Sequence, residues 1–257
     1  MTGTLIRSRG QAPCGIMHDA LYDAIFKRRS VRSYSGPLTA EMMEKVEEFA
    51  RSLTPLHPGI RTELRLLNGD DVRGPFKVAA PHFLVLYSEP GEGSAANAGF
   101  LLQQMDLFLS SNGIGSCWQG GPRPSEGHSA DGKEFIISLA LGMSDGEVHR
   151  RDVREFKRKV MGEITSLTGM NELLEPARLA PSAMNRQNWY FTGDRNGIRV
   201  HHARSVLIGR MNQVNAGIAL CHIWLAALHS GKDARLVCEE EVSSPKGYSY
   251  AASVVWE

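Results

Sequence analysis

The sequence has few cysteines, and they lack the spacing that would give them a structural role. Cys14, Cys117, Cys221 and Cys238 are scattered through 257 residues, and no CxxC motif is present. A chain of this length can bury a sizeable core without disulfides. We therefore expect reduced thiols and a cytoplasmic protein.

An excess of charge of either sign is also absent. The sequence has 29 Lys and Arg residues against 28 Asp and Glu residues, which gives a formal net charge of +1. This balance provides no overall field that would attract nucleic acid or an anionic membrane. We expect neither as a partner.

No uninterrupted apolar run is long enough for a signal peptide or a membrane span. The first 20 residues lack the continuous apolar stretch of a signal peptide. The longest apolar segments, near 98–109 and 216–228, are interrupted by polar residues such as Gln103, Asp106 and His222. They predict buried helices.

Several catalytic motifs are missing as well. The sequence contains neither HExxH nor GxSxG, which argues against a zinc protease and an α/β-hydrolase. The Gly113-Ile114-Gly115 segment lacks the third glycine of a dinucleotide-binding GxGxxG. His222 and His229 lie seven residues apart on one predicted helix, and we interpret them as partly buried interface residues.

Apolar periodicity predicts a mixed α+β chain. Residues 1–18 show no periodicity and predict an N-terminal tail. Thr39 is a good N-cap for a following helix. The remaining predictions in the first half are a helix at 18–27, strands at 61–67, 83–87 and 134–142, and a long buried helix at 95–111. The basic run 149–159 is compatible with a solvated linker helix.

The second half of the sequence repeats the first. Asn97-Ala98-Gly99 and Asn215-Ala216-Gly217 each open a long apolar helix, and the flanking helix and strand patterns follow in the same order. This repeat predicts two copies of an α+β unit packed as an intramolecular pseudo-dimer, with copy one at 19–150 and copy two at 151–257.

Three segments are candidates for ligand binding, and each has a plainer interpretation. Arg28, Arg29, Ser30 and Arg32 could bind a phosphate, or could form a solvated basic face at a helix end. The glycine-rich segment 113–121 allows backbone amides to approach a flat ligand, or simply joins a helix to a strand.

The third candidate is the loop 180–189, which contains Pro181, Ser182 and Asn185. It could hold a polar ligand, or could be a helix-to-strand turn that satisfies its own backbone. The basic run 28–32 is complete only in copy one, and the loop 180–189 is complete only in copy two. This division favours one site assembled from both copies. Pro176 lies in the helix that leads to the loop and is expected to kink it.

These three segments together resemble the flavin-dependent nitroreductase superfamily, and most closely its single-chain tandem branch. The motifs that carry the resemblance are Arg28-Arg29-Ser30-Val31-Arg32, Gly113-Ile114-Gly115-Ser116-Cys117-Trp118, and Ala177-Arg178-Leu179-Ala180-Pro181-Ser182-Ala183-Met184-Asn185-Arg186-Gln187-Asn188-Trp189. The family's proline before the tryptophan is Asn188 here.

The resemblance implies a nitroreductase-like fold with FMN at the interface between the copies. It assigns the phosphate end to Arg28, Arg29, Ser30 and Arg32, with Arg158 as a further candidate. The remaining contacts that it implies come from across the interface and from amides near the flavin N5: Pro181, Ser182, Asn185, Gly120 and Gly121.

The implied activity is a ping-pong transfer of hydride from NADH or NADPH through FMN to an electron-poor small molecule, such as a nitroaromatic or a quinone. No catalytic side chain and no metal are implied. The alternative is a non-enzymatic FMN-binding or storage protein of the same fold. With one site per chain the protein could act as a monomer or as a homo-oligomer.

Overall fold

The computed structural model describes residues 4–6, 15–125 and 132–257. The helices are α1 Gly15–Ile25, α2 Ala40–Arg51, α3 Ser94–Ser111, α4 Asn171–Arg178 and α5 Gly209–His229. The strands are β1 Thr4–Ile6, β2 Tyr34–Gly36, β3 Thr62–Asn68, β4 Val72–Arg73, β5 His82–Ser88, β6 Gly115–Gln119, β7 Arg123–Pro124, β8 Glu134–Ser144, β9 Trp189–Asp194, β10 Gly197–Ala203, β11 Arg235–Val237 and β12 Tyr248–Val255. Within these ranges no helix has both the length and the hydropathy needed to cross a lipid bilayer.

The two larger sheets are antiparallel and have the same internal order, and β4 and β7 form a separate two-stranded sheet. In the first sheet β3, β5 and β8 are neighbours and β6 pairs with the other edge of β8. In the second sheet the order is β9, β10, β12 and β11. The helix and strand sequence α2-β3-β5-α3-β6-β8 is therefore matched by α4-β9-β10-α5-β11-β12. This confirms the predicted α+β architecture with two copies of one unit packed as a pseudo-dimer.

The two long helices, α3 and α5, cross at the centre of the molecule. A Cβ added at Gly99 would lie 2.1 Å from the Val214 carbonyl oxygen, and one added at Gly217 would lie 1.9 Å from the Ala96 carbonyl oxygen. Both helices are buried on nearly all sides. The paired glycines explain why both helices contain the same Asn-Ala-Gly sequence: only glycine allows the two backbones to approach this closely.

The ends of the elements follow from local chemistry. Thr39 caps α2, and its Oγ1 accepts a hydrogen bond from the Met42 N–H at 3.3 Å. Asn112 ends α3, and Gly113 follows with a φ of 71°. Both ends agree with the sequence, because a threonine cap and a left-handed glycine are strong local signals.

The N-terminal tail predicted for residues 1–18 needs correction where the structure describes it. Thr4–Ile6 pairs with β3 and covers an edge that would otherwise expose unpaired N–H and C=O groups. Helix α1 begins at Gly15, three residues before the predicted start. The rest of the predicted tail, residues 1–3 and 7–14, lies outside the described residues.

One further expectation differs from the structure. Residues 149–159 contain only a single 3-10 turn, Val153–Glu155, instead of a linker helix. The backbone there is extended because Arg150 N–H donates to the Lys27 carbonyl at 2.7 Å. Pro176 lies inside helix α4, which ends two residues later at Arg178.

Candidate functional site

The loop 180–189 is held in an unusual backbone conformation. Met184, Asn185 and Gln187 have φ values of 52°, 55° and 50°, a region in which residues other than glycine cost roughly 1–3 kcal/mol each. Ser182 Oγ accepts from the Gln187 N–H at 2.9 Å, which closes the loop on itself. A loop that serves only as a connection has no need of three such residues, so the geometry favours a binding role.

Helix α5 anchors this loop, and α3 anchors its counterpart in copy one. The Asn215 side-chain oxygen accepts from the Ala183 N–H at 3.1 Å. At the equivalent place in copy one, the Asn97 side-chain oxygen accepts from the His57 N–H at 3.1 Å. The repeat therefore preserves the anchor of the loop but not its Ser-Ala-Met-Asn sequence.

In the basic run Lys27–Arg32, the structure separates the cations. Arg28 is buried, with 1% of its side chain exposed, and its Nε lies 2.8 Å from Oδ2 of the fully buried Asp106. The two groups form an ion pair, although the angle at Nε does not meet the criteria for a hydrogen bond. Its Nη2 donates to Ser30 Oγ at 3.3 Å. Arg29 and Arg32 are exposed. Arg28 therefore positions Ser30 and ties the run to α3.

A cluster of three arginines lies beside this ion pair. The Arg150 guanidinium donates to the Arg28 carbonyl oxygen, and both Arg150 and Arg158 lie over the ring of Phe156, at 4.1 and 5.4 Å. Burial, together with repulsion from Arg28, lowers the pKa of Arg158 to about 9 and the pKa of Arg150 to about 10. An anion bound among these arginines would offset their mutual repulsion and stabilise their charged forms.

Arg158 also connects this cluster to the loop of copy two. Its Nη1 donates to the Asn185 side-chain oxygen at 2.7 Å, and its Nη2 donates to the Leu179 carbonyl at 3.0 Å. The Asn185 amide nitrogen in turn donates to the Lys157 carbonyl at 2.6 Å. Asn185 is thus engaged with other protein groups and acts through Arg158.

A cavity of about 720 Å³ lies between the basic run and the loop. Ser30 and Arg32 of copy one line it, together with Pro181 and Ser182 of copy two. The first turns of α5 contribute Met211 and Asn215, and the end of β6 together with the segment after it contributes residues 117–123. Its size is that of a small-molecule site, and its walls come from both copies.

The glycines after β6 bring bare backbone to this cavity. The register of β6 on β8 ends at the pair Gln119–Ser138, so the N–H groups of Gly120 and Gly121 lie beyond the ladder. A Cβ at Gly121 would lie 2.9 Å from the Pro75 carbonyl oxygen. This close approach requires glycine at position 121.

Of the ten residues predicted from the sequence, the structure brings six to the wall of one cavity. These are Ser30, Arg32, Gly120, Gly121, Pro181 and Ser182. The other four are not part of the wall. Arg28 is buried behind Ser30, Arg29 is exposed, and Arg158 and Asn185 bind each other behind the loop.

Sequence reasoning missed several residues of this region. Arg150 lies in the basic run 149–159 and was not singled out, since its approach to Arg28 depends on the chain pairing 149–150 with 27–28. Trp118 and Arg186 lie inside the quoted motifs, which was a usable signal. Met211 carried no signal, because it precedes the repeated Asn-Ala-Gly sequence.

The fold and the cavity define a class of protein: a single chain in which two α+β copies form a pseudo-dimer around a small-molecule site. A family model described as "Putative TM nitroreductase" matches residues 20–227. Because the match covers most of the chain, this protein belongs to that nitroreductase family. The resemblance inferred from the three motifs is confirmed.

Solved structures are similar to this chain, and one of them shares the fold over nearly its whole length, which confirms the nitroreductase-like architecture. A putative nitroreductase from Thermotoga maritima MSB8 is 18% identical, with 92% of each chain covered and a TM-score of 0.65. A nitroreductase family protein from Clostridium difficile 630 is 19% identical over 59% of this chain and 98% of its own, with a TM-score of 0.45. A nitroreductase with bound FMN from Desulfitobacterium hafniense DCB-2 is 15% identical over 55% and 98%, with a TM-score of 0.38. No curated protein matches the chain.

Proposed function

We propose that this chain is an FMN-dependent NAD(P)H oxidoreductase of the nitroreductase type. Its acceptors would be electron-poor small molecules such as nitroaromatics or quinones. The observation that carries the proposal is the family match over residues 20–227, together with a cavity built at the place where the three motifs meet. The scattered cysteines, which form no CxxC motif, support a cytoplasmic location.

The residues around the cavity fit FMN by the chemistry of their donors. Arg28 is paired with Asp106, which leaves Arg150 and Arg158 as the crowded cations suited to a phosphate. Ser182 Oγ uses its lone pair for the Gln187 N–H, so its own hydrogen remains available to a ligand acceptor. On this basis Arg158, Ser30 and Arg32 would hold the phosphate end.

The flat part of the cofactor would lie along the part of the cavity formed by Pro181, Ser182 and the segment Trp118–Gly121. When bound, FMN would supply a hydride acceptor and donor between NADH or NADPH and the oxidised substrate. The Gly120 and Gly121 amides would stabilise negative charge on it, since they lie beyond the β6–β8 ladder. The hydride transfer needs no side-chain acid or base, so we assign no catalytic residue.

We further propose that the two copies, 19–150 and 151–257, arose by duplication and that only one junction binds FMN. At the equivalent junction, the His57 ring fills the space beside Gly93, where a Cβ would lie 2.6 Å from its Nε2. Cys238 Sγ lies 3.4 Å from His57 Nδ1 on the other side. One site per chain lets a monomer function, and a homo-oligomer would be compatible with the same site.

The absorption spectrum of the purified protein, before and after anaerobic NADH or NADPH, tests this function. The reductase predicts visible flavin bands that bleach with at least one nucleotide. Bands that respond to neither would support a storage protein instead. Arg158→Gln should release FMN, whereas Arg154→Gln, at an exposed arginine paired with Asp152, should retain it. A protein that takes up no FMN would contradict the proposal.

A further inference from the structure

The cavity has an unbalanced charge at its walls. Arg32, Arg123, Arg186 and Arg210 line it, and among the lining residues that the structure describes there is no Asp or Glu. A concave site lined by one sign of charge concentrates ligands of the opposite sign. The overall net charge of +1 hides this local excess.

The four arginines are not equivalent. Arg210 is partly neutralised by Glu134 at 3.3 Å, and Arg123 lies over the Phe135 ring at 5.1 Å. Arg32 belongs to the run that would hold the phosphate end of FMN. Arg186 is exposed and forms no side-chain hydrogen bond or ion pair within the described part of the chain. It is therefore the cation most available to a second ligand.

Large apolar side chains surround the same opening. Phe76 is 96% exposed, Met184 is 83% exposed and Leu207 is 94% exposed, and all three line the cavity. Phe76 and Met184 also have positive φ values, 57° and 52°. Exposing apolar surface and holding a strained backbone both cost free energy, and such outliers are typical of ligand-contacting residues.

We propose that the mouth of this cavity selects an aromatic acceptor that carries an anionic substituent, such as a carboxylate or a sulfonate. Arg186 would pair with the anion, and Phe76, Met184 and Leu207 would contact the ring. Met184 and Arg186 belong to the same rigid loop, so their spacing is fixed by Ser182 and Gln187. The reduction of that acceptor rests on the function proposed above, but its binding does not.

The nicotinamide dinucleotide is the competing source of negative charge. Its phosphates could also use Arg186, in which case the arginines would serve the donor and not the acceptor. The test therefore separates an aromatic monoanion from NADPH.

The experiment compares 2-naphthoate with 2-naphthamide, which has nearly the same shape but no charge, by calorimetric titration of FMN-saturated protein. We expect naphthoate to bind about tenfold more tightly, a difference of about 1.4 kcal/mol, and expect added salt to reduce the ratio. Arg186→Gln should reduce the ratio to about threefold. Arg195→Gln, at an exposed arginine in the β9–β10 turn, is the matched control and should leave it unchanged.

A second pair of variants tests the apolar contacts at the mouth of the cavity. Met184→Ser should weaken naphthoate and naphthamide to the same extent, about threefold, because it removes ring contact and no charge. Val206→Ser changes an equally exposed apolar residue that does not line the cavity and should alter neither affinity.

Equal affinities for the two ligands, or a ratio that Arg186→Gln does not change, would overturn the proposal. So would an Arg186→Gln variant that loses affinity for NADPH and keeps the full preference for naphthoate. If the protein binds no FMN, the function proposed above fails, and the same titrations on the FMN-free chain still decide whether the mouth selects aromatic anions.

Discussion

The Arg28–Asp106 ion pair gives a sharp prediction, because the family resemblance and the structure assign Arg28 different roles. The resemblance places it at the FMN phosphate, whereas in the structure it is paired with Asp106, and both side chains are almost completely buried. Asp106 is held further by Ser116 Oγ at 2.6 Å and by the Gln103 amide at 3.3 Å. Arg28→Met would leave the Asp106 carboxylate buried without its counter-charge.

Removing one partner of a buried ion pair costs about 3–5 kcal/mol, because the remaining charge has lost its compensation. We therefore expect Arg28→Met to lower the free energy of unfolding of the FMN-free protein by that amount. For a chain of this size, the loss corresponds to a fall in melting temperature on the order of 6–20 °C. Arg28→Met/Asp106→Leu should cost clearly less than the sum of the two single changes, since neither charge is stranded.

Urea unfolding of the FMN-free protein measures the effect, provided that the slope m is the same for all variants. Arg154→Met is the control, because its ion pair with Asp152 is exposed and should contribute less than about 1 kcal/mol. The reasoning would be refuted if the free energy of unfolding of Arg28→Met lay within about 1 kcal/mol of that of the wild type while the variant no longer bound FMN. That result would place the guanidinium at the phosphate and not at Asp106.

Three further predictions test the helix crossing, the buried imidazole and the loop. Gly217→Ala should lower the free energy of unfolding in urea by roughly 3 kcal/mol or more, because its Cβ would overlap a backbone carbonyl oxygen of α3. Gly209→Ala is the control: this position lies in the same helix with free space around it, and the change should be neutral or stabilising by up to about 1 kcal/mol. Equal effects of the two changes would contradict the close crossing. Burial lowers the pKa of His222 to about 3 in the folded protein, whereas the pKa of this histidine in the unfolded chain is near 6.5. As the pH drops from about 6.5 towards 3, the unfolded chain therefore binds a proton that the folded protein does not. The free energy of unfolding falls over this range by up to about 1.4 kcal/mol per pH unit. Unfolding of His222→Gln measured from pH 7 to pH 4 should lack this slope, and an unchanged slope would count against the assignment. Ser182→Ala/Asn185→Ala should raise the Kd for FMN about tenfold, or about 1.4 kcal/mol, in a fluorescence titration, and unchanged retention would exclude a site shared between the copies.

Much of the fold could be predicted from the sequence, where the signals are local. The Thr39 cap, the end of the long helix before Gly113 and the apolar run of the strand at 83–87 each act over a few residues, and the structure has them where expected. The repeated Asn-Ala-Gly sequence also predicted the two equivalent helices. Its physical reason, the backbone crossing at Gly99 and Gly217, is visible only in three dimensions.

The errors arose where distant segments decide the local structure. Residues 149–159 have the composition of a solvated helix, but pairing with the Lys27–Arg28 backbone keeps them extended. The same pairing brings Arg150 to the basic run, which no spacing in the sequence indicates. Arg28 likewise looks like a surface cation in sequence, and only the packing of α3 places Asp106 against it.

The central claim is that one FMN binds per chain, at the junction that combines Ser30 and Arg32 with Pro181 and Ser182. Titration of the FMN-free protein with FMN, followed by calorimetry, tests this claim most directly. We predict saturation at one FMN per chain, with binding weakened in Arg158→Gln and in Ser182→Ala/Asn185→Ala. The absence of binding, or saturation at two FMN molecules per chain, would contradict it.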